Sequence, residues 1–254
     1  FARSLGIPLA TVPGYEPERE YYGRESQYPA QNLNQELIGF GDKLTAELLD
    51  EFRRDGILPE TVTEMRIGYN GRYLVYPYIQ ANGNCYAARC VHPEQEDDSF
   101  WYGNEDFFAT PFQIFNLEEI DRCENGTLFV VEGERNLLTL RQLGFPGIAV
   151  PNAAVLDELE PERLRWVRTI FVFMRNTVES EAMARAFATR AGFKVRLIPW
   201  PEDAPRDMSL SALAAVSPSG LAKTVALMIR NGRAFSPFPS PSLEFHRFNQ
   251  RLQQ

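Results

Sequence analysis

Apolar positions recur at two different periods along this chain, and the change from one to the other divides it. Between Leu44 and Arg54 the series Leu44, Leu48, Leu49, Phe52 has helical spacing, and Thr45 with Glu47 suits the first turn. Pro59, whose ring fixes φ, predicts the opening of a second short helix. From Arg72 to Val91 the texture turns to strands: Arg72–Ile79, a turn at Ala81–Asn84, then Cys85–Val91, with Asn82-Gly83 as the hairpin signal. Pro77 cannot donate to a ladder, which predicts an edge position or a bulge. His92–Asp98 reads as an acidic, solvated loop, and Phe100-Trp101-Tyr102 beyond it as an aromatic cluster that serves the core or, as the alternative, a stacking surface.

From Thr127 onward short apolar strands alternate with helical stretches. Strands are predicted at Thr127–Val131, Gly147–Val150, Thr169–Met174 and Lys194–Pro199, with helices at Arg135–Leu143, Pro161–Val167 and Glu179–Arg190. That spacing requires parallel crossovers, so a doubly wound α/β sheet flanked by helices is expected. A further helix is predicted near Ser219–Asn231. The first forty residues, rich in Pro, Gly, Tyr and Asn, read as an extended arm, and Phe235–Ser242 as a Pro/Ser-rich linker. The expected organisation is an arm over 1–43, a smaller α+β unit over 44–125, the α/β domain over 126–215, and a C-terminal helix and tail over 216–254. A chain that begins at Phe1 is expected to be a piece of something longer.

Composition adds exclusions. At 254 residues and 44% hydrophobic content the chain can bury a substantial core, and no apolar run approaches a membrane span. Three cysteines, an odd number, argue for a reducing compartment, and the cytoplasm is the expectation. Cys85, Cys90 and His92 lack a fourth metal ligand and sit among strand residues, so buried structural thiols are expected. A net charge of −8 opposes binding of a long polyanion unless arginines gather on one face.

The chemistry concentrates where the first α/β strand ends. Glu132 stands at its C-terminal end beside Gly133, and ligands of open α/β sheets collect at such ends. Glu132-Gly133-Glu134 after an apolar strand, the strand Ile170–Met174 running into a polar turn and an alanine-rich helix, and Leu197-Ile198-Pro199 followed by Arg206-Asp207 together resemble the TOPRIM domain of bacterial and phage-type, DnaG-like primases. Upstream, Ile67-Gly68-Tyr69, the Arg72–Ile79 strand, Gly83 and Ala87-Ala88-Arg89 resemble the smaller subdomain that precedes TOPRIM there.

The resemblance implies phosphodiester chemistry, with a glutamate as acid, base or metal ligand and two aspartates one residue apart holding Mg²⁺. Glu132 and Asp207 remain at matching places. The aspartate pair, however, falls on Arg175 and Thr177, and the aspartate expected in the first motif on Asn136. A guanidinium repels a divalent ion, since unit charges about 4 Å apart interact by roughly 4 kcal/mol at an effective dielectric near 20. Arg175 then either closes a salt bridge with Glu132 or takes the metal's place and grips a phosphate. Arg72 and Arg89 lie where the resembling primases use basic residues for nucleotide or template contacts, with Arg66 close by, or else they are ordinary exposed strand arginines; Tyr69, Tyr73 and Tyr76 offer rings for base stacking or for packing. His246 and Arg247 in the tail are expected to be solvated.

Three functions follow as expectations. The first is a TOPRIM-type module of a replication or mobile-element protein that binds single-stranded DNA or nucleotides, its metal site lost and no cofactor needed. The second is an active Mg²⁺-dependent nucleotidyltransferase or nuclease using Glu132 and Asp207. The third is an interaction module that docks a helicase or another replication protein.

Overall fold

Two sheets dominate the structure, a computed structural model that describes residues 28–109 and 112–235. Helices α1 (Asn34–Gly41), α2 (Ala46–Arg54) and α3 (Pro59–Glu64) lead into an antiparallel sheet of β1 (Gly68–Tyr69), β2 (Leu74–Ile79), β3 (Cys85–His92) and β4 (Gln95–Gly103), in that order. After α4 (Glu119–Arg122) come β5 (Thr127–Glu132), α5 (Glu134–Gln142), β6 (Gly147–Val150), α6 (Ala153–Glu158), β7 (Thr169–Phe173), α7 (Val178–Ala191) and β8 (Val195–Leu197). The chain then adds α8 (Leu210–Val216), α9 (Leu221–Asn231) and β9 (Arg233–Ala234). The second sheet has the order β6-β5-β7-β8-β9, parallel through β8 and antiparallel at β9, so the α/β sheet is mixed and mostly parallel.

Strand alternation sets the layers. Phe129 and Val131 of β5, Ala149 of β6 and Phe173 of β7 face the core shared with α5, α8, α9 and the antiparallel sheet. Their neighbours Leu128, Val130, Ile148, Val150, Ile170 and Val172 face the opposite core, closed by α6 and α7. The antiparallel sheet is also two-sided: Leu74, Tyr76 and Tyr78 point into the first core, while Val75, Ala88 and Cys90 pack on Leu33 and Leu37 beside α1. Helix α2 begins at Thr45, whose hydroxyl accepts the Leu48 N–H at 3.4 Å. Pro77 lies beyond the two pairs that β1 makes with β2 and next to a register shift at Tyr78/Ile79, so its missing donor disturbs no ladder.

Several expectations need correction. The 95–98 part of the predicted acidic loop is the start of β4; Glu96 and Asp97 are exposed because β4 is an edge strand with one side to solvent. The aromatic cluster does not go into the core as a block, since successive strand residues face opposite ways: Trp101 packs against the first core and Phe100 is 43% exposed. Part of the predicted extended arm is helix α1, which buries Leu37; residues 1–27 lie outside the described residues. The crossover helix expected at Pro161–Val167 is instead α6, capped by Asn152, followed by a 3-10 turn at Pro161–Leu164. Helix α8 and strand β9 were not predicted. The tail from 236, with His246 and Arg247, lies outside the described residues.

Burial pushes the Cys85 thiol up to about 12 and the Cys90 thiol to about 11, and Cys85 donates to the Ala87 carbonyl at 3.1 Å. All three cysteines are buried and free, as small apolar side chains are. Among the described residues no helix is long and apolar enough to cross a membrane.

Candidate functional site

The C-terminal ends of β5 and β7 meet the inner face of the antiparallel sheet, and the candidate residues gather there. Gly133, at φ +88, makes the tight step from strand β5 into helix α5, a backbone conformation that suits glycine. On either side of it stand two glutamates with different fates.

Glu132 is held by its own domain. Its Oε2 accepts the Ser180 hydroxyl at 2.6 Å and the Arg175 backbone N–H at 3.3 Å. Ser180 is buried in the first turn of α7, and its hydroxyl in turn accepts from Thr177 Oγ1 at 2.8 Å. Thr177 also caps α7 by accepting the Ser180 N–H at 3.0 Å. This residue therefore serves the helix end, and Thr177→Ala should cost about 1–2 kcal/mol in a denaturation experiment; an unchanged midpoint would show that the cap contributes nothing.

Asn136 is buried and bonded at both ends of its amide. Its Nδ2 donates to the Glu132 carbonyl at 2.5 Å, and its Oδ1 accepts the Ser211 N–H at 2.8 Å, tying the end of β5 to the start of α8. Asn176 does similar work at the next turn. It donates to the Pro205 carbonyl at 2.7 Å, and the backbone pairs Asn176 N–H with Met208 carbonyl and Asp207 N–H with Asn176 carbonyl hold the Asp207 loop against the end of β7. Asp207, in the left-handed region at φ +62, is exposed, and its carboxylate has no hydrogen bond or ion pair among the described residues.

The salt bridge between Glu132 and Arg175 does not form. Those residues are joined through the Arg175 backbone, while its guanidinium turns across the cleft to Glu96 of β4, Nη1 to Oε2 at 3.9 Å. The Arg175 Nε is buried without a partner.

Sequence reasoning missed Glu134. Its carboxylate, 4% exposed, accepts from Arg89 Nη1 at 2.8 Å and from the Tyr78 hydroxyl at 2.7 Å. Burial pushes Tyr78 well above the ordinary phenol range, with Glu134 adding to it, so the hydroxyl stays a donor. Arg89 also reaches Ser99 Oγ at 3.2 Å, and its side chain is 19% exposed. Burial works against the Arg89 charge, and Glu134 with Tyr78 outweighs it. Arg89 is thus not the ordinary exposed strand arginine; it clamps β3 to the start of α5. The signal available beforehand was the second glutamate of Glu132-Gly133-Glu134, at the positive end of a helix.

The remaining basic residues are not brought to this place. Arg72 is exposed, with its guanidinium 5.2 Å from the Tyr73 ring, and Tyr73 packs with the cluster beside α1 on the sheet's far side. Arg66 is exposed at φ +54 between α3 and β1. Of the tyrosines, Tyr76 is buried on the inner face and Tyr69 is partly buried against the same core.

No family sequence model and no curated protein sequence matches the chain. Solved structures do. The primase fragment of the bacteriophage T7 primase-helicase protein superposes with a TM-score of 0.55 at 17% identity, over 70% of this chain and 72% of that one. A DnaG primase catalytic domain bound to single-stranded DNA gives 0.61 at 13% identity, over 80% and 78%. The Aquifex aeolicus primase, with its zinc-binding and RNA polymerase domains, gives 0.62 at 12% identity, over 80% of this chain and 60% of that one. A mixed, mostly parallel sheet flanked by helices and joined to an antiparallel sheet is what these structures share with it. The chain has the fold of the DnaG-like, TOPRIM-containing catalytic core of bacterial and phage primases.

Proposed function

We propose that the chain is a primase-like TOPRIM module of a DNA replication or mobile-element protein, which binds single-stranded nucleic acid or nucleotides through phosphate and has lost metal-dependent catalysis. One observation carries this reading: Arg175 stands at the end of β7 with its guanidinium in the cleft and its Nε without a partner. A planar guanidinium with free donors suits a phosphate and opposes a divalent cation.

The donor set at the strand ends does not fit magnesium, which takes hard oxygen ligands, usually carboxylates. Asn136 spends both ends of its amide on the backbone, Thr177 caps a helix, and Glu132 already accepts two hydrogen bonds. Among the described residues no three His, Cys, Asp or Glu side chains are grouped to hold a metal ion. The nucleic-acid part draws support from the DnaG domain of similar fold that was solved with single-stranded DNA. A replication partner such as a helicase is compatible with this reading.

A second reading, an active Mg²⁺-dependent enzyme using Glu132 and Asp207, has one observation in its favour: the Asp207 carboxylate is exposed and unengaged on a loop bonded to the β7 turn. Calorimetric titration with Mg²⁺ and Mn²⁺, beside a primer-synthesis assay on a single-stranded template, separates the two. The expected result is no saturable metal binding in the millimolar range and no oligonucleotide product. Metal binding together with product, both removed by Glu132→Gln, would establish the enzyme instead.

A further inference from the structure

Glu96 occupies an unusual stretch of β4. The ladder pairs His92 with Gln95 and Val91 with Ser99, so Glu96, Asp97 and Asp98 form a three-residue bulge without Cα partners on β3. Moving this bulge breaks no pair of the ladder and, among the hydrogen bonds of the described residues, gives up only the long one from the Tyr73 hydroxyl to Asp98 at 3.2 Å. From the bulge the Glu96 carboxylate reaches over the cleft to within 3.9 Å of the Arg175 guanidinium, and its charge also acts on Tyr76 of the inner face and on Arg135 of α5. Arg135 is already engaged, with Asp55 at 2.5 Å, and Glu132 accepts from Ser180, whereas the Nε of Arg175 has no partner. A separation of 3.9 Å is too long for a hydrogen bond, and with side chains 37% and 56% exposed the pair is screened by water. Such a pair is attractive enough to bias the guanidinium and weak enough to be displaced.

We propose that Glu96 is a built-in competitor for the phosphate that Arg175 binds. Its carboxylate rests against the guanidinium when the cleft is empty, and an incoming phosphate of single-stranded nucleic acid takes over as the β4 bulge swings out. The inference rests on the phosphate reading of Arg175 given above. It makes affinity depend on a contact within the chain as well as on the ligand.

The experiment measures binding of a fluorescein-labelled oligo-dT by anisotropy at fixed ionic strength for the unaltered chain, Glu96→Gln, Arg175→Gln, the double variant, and Asp97→Asn as a control for bulk charge. Glu96→Gln should bind three- to tenfold tighter, Asp97→Asn less than twofold tighter, and Arg175→Gln more weakly than the unaltered chain. The double variant should match Arg175→Gln, because the competitor has nothing left to compete for. A loss in Arg175→Gln without a gain in Glu96→Gln would overturn the competitor and leave the phosphate reading standing. A gain that survives in the double variant, or that Asp97→Asn equals, would also overturn it. Equal affinity in all five proteins, or binding in none, would remove the phosphate reading together with the competitor.

Discussion

Glu134→Ala should lower the unfolding free energy by about 3–5 kcal/mol, because it leaves the buried Arg89 charge and the Tyr78 hydroxyl without their acceptor. Urea unfolding at neutral pH measures it. The size comes from asymmetry: a buried pair adds little over apolar residues of the same shape, but half a pair is an uncompensated charge. The triple variant Tyr78→Phe, Arg89→Met, Glu134→Leu should therefore recover most of the loss. If Glu134→Ala costs less than about 1 kcal/mol, water reaches Arg89 and the two sheets are not clamped there.

Asn136→Asp should cost about 2–3 kcal/mol, although it restores the residue type that the TOPRIM resemblance expects. The Ser211 N–H would still find an acceptor, but the Nδ2 donor facing the Glu132 carbonyl at 2.5 Å would become an anionic oxygen. The same buried spot has Glu132 and Glu134 close by in the chain, so a third carboxylate adds like charge there. Thermal unfolding should show a midpoint about 5–10 °C lower. A variant as stable as its parent would mean that the amide is replaceable and that the strand end tolerates an acid.

The two outcomes bear on the same question. If acid at position 136 is destabilising and Arg175 supplies the charge in the cleft, a metal site here would need more than aspartates at 136, 175 and 177. The surrounding hydrogen bonds, from Ser180 to Glu132 and from Ser211 to Asn136, fit the residues that are present.

How legible the site was depended on the distance between partners along the chain. Glu132-Gly133 at a strand end could be read directly, as could the non-acidic residues at 136, 175 and 177, because each is a matter of residue identity at a known place in a local pattern. Thr177 as a helix cap was also within reach, since its partner lies three residues on. Glu134 was passed over because its partners, Arg89 and Tyr78, are 45 and 56 residues away. The salt bridge to Glu132, one of the two alternatives for Arg175, does not form for a related reason. Adjacent strand ends suggested Glu132, but the side chain leaves the turn in another direction and meets a strand far upstream. The basic residues expected on one strand pair were separated because Arg72 falls in the turn before β2, held by Asn70, where its guanidinium rests on Tyr73, whereas Arg89 lies within β3 and enters the core contact.

By itself the sequence determined strands β2, β3 and β5 to β8, helices α2, α3, α5, α7 and α9, the glycine turn after β5, and the chemistry of the side chains available at the strand ends, because periodicity, caps and residue type are properties of short segments. The tertiary structure alone decided which charges meet. It gave Arg89 to Glu134 and Arg175 to Glu96, since a pairing between distant segments depends on how two sheets pack and on which face each side chain leaves, and neither is written within one segment.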